Sequence, residues 1–337
     1  SFLLAGGGGQ MQGNITVCAA CSFQVQLLTS TQLFVMDSRA TISGQGRVEI
    51  IQGILFVASG SINAQYVILG NQMAKTRSNN TRAVLQGYGP LGQNIRVENE
   101  GQLVVDIKEG KTALIGGNLA VSPGGLLAVY NIGAPLGSPL QVRGLASFTG
   151  GVVPSLLNTE IGFRPVEFVL MSFRAAEGQF QAQLAADKCP LPHCDRMSFR
   201  CTPTSLVLVV VPTLGRSGII ALVVTTSYLA LFNDWQLRLA SGIQIGVDQL
   251  EFQTREPQDD QTLLLLRFLM HTEADAIRLA GTFLSKARSD IGYSTSLGLV
   301  QAYLTDGNGS AQSPSPLAGV YESDTALIVL IWFGGML

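Results

Sequence analysis

Charge is scarce in this sequence. Only 13% of its 337 residues are Asp, Glu, Lys or Arg, and the formal net charge is −2. Acidic and basic residues are interspersed, so there is none of the concentrated basic surface that nucleic acid requires, and nucleic acid is excluded as a partner. Aromatic residues are also few, at 7%, and there are two histidines, His193 and His271. A Ser/His/Asp or metal site built from these two has little to draw on, and the motifs GxSxG, HExxH and GxxxxGKS/T are absent. Long apolar runs are missing as well. Residues 218–232 (GIIALVVTTSYLALF) are interrupted by Thr225, Thr226 and Ser227, and residues 326–333 (ALIVLIWF) are fewer still. A membrane-spanning helix needs roughly 20 apolar residues, so both read as buried strands or short helices and the chain as not membrane-spanning.

Glycine and short apolar strands are abundant. There are 38 glycines, and 47% of residues are apolar. The phrase Gly-x-Leu-x-Val recurs in some form at residues 53–57, 101–105, 117–121 and 125–129. Related strands lie at 32–36, 47–51, 66–69, 95–97 and 144–148, separated by turns such as SGQG, ASGS, SPGG and SFTGG. Strands of four or five residues that return at short intervals between Gly turns point to a coiled sheet, in which each turn buries its apolar face only when the next one stacks on it. The expected fold over 30–212 is a parallel β-helix, with a β-sandwich of meanders as the alternative. These rungs resemble the right-handed β-helices of secreted adhesins and pectin-lyase-like proteins.

The rhythm changes near residue 213. A strand over 217–225 is followed by a helix over 227–241, whose Phe232, Trp235 and Leu239 share one face. Residues 247–254 alternate like a half-buried strand, and 262–270 form a continuous apolar strand. A capping-box-like start at Thr272 opens a second helix with Ile277, Ala280 and Leu284 inward, and 296–304 close the unit as a strand. The order βαββαβ over 213–310 is the ferredoxin-like unit. It resembles SEA domains, although the turn REPQDDQ has no Gly-Ser break, so self-cleavage is not implied.

Each terminus carries an apolar strand on a linker. The N-terminal arm, with Phe2, Leu3 and Leu4, precedes a Gly-rich tether, and the two occupy 1–29. At 311–337 a Pro/Ser linker leads to Leu327, Ile328, Val329, Leu330, Ile331, Trp332 and Phe333, the expected assembly strand. Burying a large apolar side chain is worth about 1.5–3 kcal/mol, so each end is expected to dock on a sheet edge, its own or a neighbour's. A lipid-anchor signal is the other reading of the C-terminal run, and Ser1 in place of Met suggests processing or a partial sequence.

Five cysteines, Cys18, Cys21, Cys189, Cys194 and Cys201, read as a disulfide set with one thiol left over or paired between chains; zinc fits less well because no second x-x pair exists. The sequons at Asn14, Asn79 and Asn308 mark glycosylation sites, so N-linked glycans are expected partners. Together these features point outside the cell.

No catalytic residue and no cofactor emerge. The GxGxxG spelling over 87–92 contains Pro90 and runs into strand-like residues, which makes it a loop rather than a nucleotide site. Glu98 and Glu100 read as one exposed strand face, and Asp259 and Asp260 as a solvated turn. The functional expectation is therefore a non-enzymatic, extracellular structural protein. Copies of itself would be its main partner, assembled head-to-tail by terminal strand addition into a filament or surface layer. A carbohydrate-binding or adhesive module, with surface polysaccharide as partner, is the second reading, and a polysaccharide-acting enzyme the third.

Overall fold

The computed structural model describes residues 1–70, 82–106, 111–132, 138–156, 162–177, 183–184, 192–215, 218–254 and 260–305. The chain divides into two compact units, Ser1–Val211 and Pro212–Leu337. The first is built of strands and the second combines a sheet with helices, so the protein is mainly β with an α+β module.

Twenty strands of the first unit are linked by hydrogen bonds. All but the last two, Cys194–Cys201 and Ser205–Pro212, line up in three parallel ladders. One ladder takes Phe2–Gly6, Ser22–Leu27, and then residues 47–52, 66–69, 94–97, 119–121 and 146–148 in turn. A second begins with Asn14–Val17 and continues through 41–44 and 61–64; later Gly89–Gly92, Ala113–Ile115, 140–142 and 171–173 follow in the same manner. The third runs from Gly9–Met11 through 33–36, 54–57, 83–87, 101–106, 126–132 and Gly151–Leu156 to Gln183–Leu184. The chain visits the ladders cyclically, and Thr41–Val57 contributes to all three before leaving.

Period-two alternation explains the packing, because successive side chains on a strand point to opposite faces. Val25, Ile50, Leu69, Val97, Val121 and Phe148 occupy one buried row, and Phe23, Val48, Val67, Ile95 and Leu119 the next. The Gly-x-Leu-x-Val phrases sort by ladder. Leu55, Leu103 and Leu127 fall in one row with Leu85 between them, whereas Leu119 of the phrase at 117–121 belongs to a different ladder. The two phrases only eight residues apart therefore occupy two sides of the same turn. The corners need glycine where backbones converge. At Gly44 (φ +121°) an added Cβ would lie 2.1 Å from the Val17 carbonyl oxygen, in a conformation that L side chains rarely adopt.

Several expectations need correction. Residues 1–29 are not an arm on a tether: Phe2–Gly6, Gly9–Met11 and Asn14–Val17 each pair within their own unit, because the glycines turn the chain and Met11 sits inward. The GxGxxG segment is not a loop but two strands, Ala83–Gly87 and Gly89–Gly92, meeting at Tyr88. Glu98 and Glu100 share no strand face. Their strand ends at Val97, Glu98 is buried, and Glu100 takes a positive φ in the turn.

The second unit has a four-stranded antiparallel sheet in the order Leu250–Thr254, Gln261–Phe268, Ile219–Thr225, Leu299–Thr305. Helices Phe232–Gly242 and Glu273–Ser289 contribute to its core through Trp235, Leu239, Ala280, Phe283 and Leu284. Trp235 is fully buried, donates from Nε1 to the Leu297 carbonyl at 2.8 Å, and packs edge-on against Phe252, so its one polar atom is satisfied inside the core. Thr272 caps the second helix by accepting from the Asp275 N–H at 3.1 Å. Ile277, expected inward, is 50% exposed, because the inner stripe is Ala276, Ala280, Phe283, Leu284 and Ala287. Where the last strand was expected to begin, a short helix, Ile291–Ser296, precedes it. A 3-10 turn over Thr226–Leu231 likewise precedes the first helix.

Candidate assembly interface

The first strands of the three ladders, Phe2–Gly6, Gly9–Met11 and Asn14–Val17, form one layer. Among the described residues each pairs with a single partner strand, Ser22–Leu27, Leu33–Met36 and the start of Thr41–Val57 respectively. Their other edges therefore present backbone N–H and C=O groups without a ladder partner, which is a template for another strand. The interior rows also end here. Phe2 stacks on Phe23 with ring centroids 5.6 Å apart yet remains 60% exposed, and Leu4 and Ile15 are half-buried against the core; Leu3, in register with the outward Gln24, is 50% exposed on the side of the ladder.

Two local devices hold this layer. The corner between Asn14–Val17 and Ser22–Leu27 is closed by the Cys18–Cys21 disulfide, Cα–Cα 5.0 Å, and by the Cys21 N–H donating to the Cys18 carbonyl at 2.8 Å. Gly46 of the next corner lies against it so closely that an added Cβ would come 2.3 Å from the Cys18 oxygen. The second device centres on Asp37. Its carboxylate accepts from Gln10 Nε2 at 3.1 Å, Gln12 Nε2 at 3.2 Å and the Ser38 hydroxyl at 2.8 Å, and from the Ser38 N–H. The Ser38 hydrogen bonds hold the Asp37 carboxyl below the ordinary carboxylate range, with Gln12 and Gln10 adding to the effect. Gln10 and Gln12 flank the inward Met11, an alternation present in the sequence but masked by the surrounding glycines.

The other expected site residues are placed as follows. Asn14 is exposed at the start of its strand rather than in a loop. Cys194 takes part in a disulfide and Cys201 is a free, exposed thiol. Asn79, Asn308, Cys189 and the run Leu327, Ile328, Val329, Leu330, Ile331, Trp332 and Phe333 lie outside the described residues. Among the described residues no group of three metal-ligating side chains converges, and no helix is long and apolar enough to cross a membrane.

The opposite end of the unit is built differently. The strand Val166–Ala176 pairs in parallel with Leu140–Phe148 and, on its other side, antiparallel with Ser205–Pro212. Reversal of chain direction there occupies the edge that a further parallel strand would use. No protein family, curated protein or solved structure matches this chain.

Proposed function

We propose that this chain is an extracellular structural subunit that polymerises by strand addition. In this reading the first unit is a parallel β-helix, the second a ferredoxin-like spacer, and a strand from a neighbouring copy completes the layer formed by Phe2–Gly6, Gly9–Met11 and Asn14–Val17. The observation that carries the reading is that layer's edge. Among the described residues, three strands have no ladder partner on one edge, beside exposed Phe2 and Leu3, and an added strand would gain main-chain hydrogen bonds and bury apolar surface there. The cyclic order of the ladders supports the β-helix assignment, and the all-antiparallel order of the second sheet supports the ferredoxin-like one. Disulfides at Cys18–Cys21 and Cys194 fit an oxidising compartment. The donor is the apolar run 327–333, chosen for its β-rich sequence. A head-to-tail contact of this kind gives a filament when it does not close.

Negative-stain electron microscopy of the full chain and of a version lacking residues 326–337 tests this. Filaments in the first that vanish in the second are expected. Discrete particles in both would overturn the reading.

A further inference from the structure

The side of the first ladder, as distinct from its end, carries a second feature. Outward positions there run Arg47, Tyr66, Asn94 along one row and Gln24, Glu49, Ile68, Arg96 along the next. Neighbouring rungs lie about 4.8 Å apart. Tyr66 is 47% exposed on this side of the ladder. One rung away the Glu49 carboxylate is fixed from two directions, by Gln24 Nε2 at 2.6 Å and Arg47 Nε at 2.7 Å. Only the Arg47 Nε is used in that pair, and its side chain is 57% exposed, so guanidinium N–H groups remain for another acceptor. On the far side of Tyr66, Asn94 donates to the Gln65 carbonyl at 3.0 Å and accepts from the Asn118 N–H at 3.1 Å, which makes that corner rigid.

We propose that this face is a binding platform for a neutral saccharide. A pyranose ring has an apolar C–H face suited to an exposed aromatic ring, and hydroxyls that each donate and accept. Tyr66 supplies the ring, the exposed Arg47 guanidinium the donors, and the Glu49 carboxylate, 18% exposed and already accepting from Gln24 and Arg47, a further acceptor through its remaining lone pairs, all on the outward side of one ladder. Because Gln24 and Arg47 already hold Glu49, little side-chain freedom is lost on binding. The Arg47 charge is compensated by Glu49, which favours an uncharged ligand over an anionic one. Arg96, flanked in its row by Ile68 and Ala120, is the feature that would favour an acidic glycan instead, and the test separates the two. The platform runs along the ladder's side and does not rest on the assembly reading.

Affinity electrophoresis of the full chain through gels containing mixed-linkage glucan, xylan or galactomannan, with polygalacturonate as the acidic comparator, is the experiment. Retardation by at least one neutral polysaccharide is expected. Tyr66→Ala should weaken it about tenfold or more, as loss of a central aromatic anchor does. Tyr66→Phe should retain it, Glu49→Gln should weaken it, and the melting temperature of Tyr66→Ala should match the parent. The proposal is overturned if no neutral polysaccharide retards the protein, if polygalacturonate alone does, or if Tyr66→Ala migrates like the parent.

Discussion

At one end of the first unit, Phe2–Gly6 leaves an edge without a ladder partner among the described residues; at the other, Ser205–Pro212 runs antiparallel along Val166–Ala176 and covers it. Both ends are made of the same kind of strand, with alternating inward apolar residues. They differ in the direction of the last neighbour. A parallel stack can be extended by any strand of matching pattern, whereas an antiparallel strand laid across its edge ends that repetition. The comparison shows that the two ends differ in strand polarity: the first strand has a parallel neighbour on one side, and Val166–Ala176 has a parallel neighbour on one side and an antiparallel one on the other.

The comparison breaks first if interior rows are not continuous. Ile50 lies in mid-stack and Leu208 at the covered end, and both are fully buried. Ile50→Ala and Leu208→Ala should each cost about 2–5 kcal/mol in denaturant unfolding. A much smaller cost for Leu208→Ala would mean that the antiparallel strand does not seal its end. Leu4 continues the Ile50 row through Val25 but is only half-buried. Leu4→Ala should therefore cost below about 1 kcal/mol in dilute protein, a fraction of full side-chain burial. In assembled material the loss should rise toward the mid-stack value, read as a higher critical concentration; an unchanged concentration would count against strand addition at this edge.

The smallest expected effect is on pH dependence, and it belongs to the open end. The Asp37 carboxyl is held low in the folded state, so its contribution to stability is present above its unfolded value, near pH 4. That contribution disappears as pH falls through the folded value. Asp37→Asn should flatten the acid limb of the unfolding curve. An acid limb identical to the parent's would show that the hydrogen bonds from Ser38, Gln12 and Gln10 to Asp37 add nothing measurable to stability.

What could be read from the sequence follows from period. The alternating residues of 47–51 and 66–69 fall inside observed strands, and Trp235 and Leu239 are buried as their helical spacing implies. The first layer was illegible because GGGGQMQG resembles a linker by composition; only the ladder register reveals Met11 as inward and Gln10 and Gln12 as partners of Asp37, more than twenty residues away. Glu98 and Glu100 were misplaced for the opposite reason, since two-residue spacing continues through a corner that the strand does not. Ile277 was misplaced because three apolar positions fit more than one helical stripe, and Phe283 chose between them. The Tyr66 platform depends on which rungs are neighbours, and no local pattern carries that information.

That Phe2–Gly6 has one partner strand among the described residues also has a mechanical meaning. A load applied at Ser1 across the strand would meet its hydrogen bonds to Ser22–Leu27 one after another, as in a zipper, rather than all at once. The central strand Ile219–Thr225, clamped between two antiparallel neighbours and pulled along its length, would have to break both sets together. Pulled from Ser1, Phe2–Gly6 should therefore peel at a lower force than that at which Ile219–Thr225 yields.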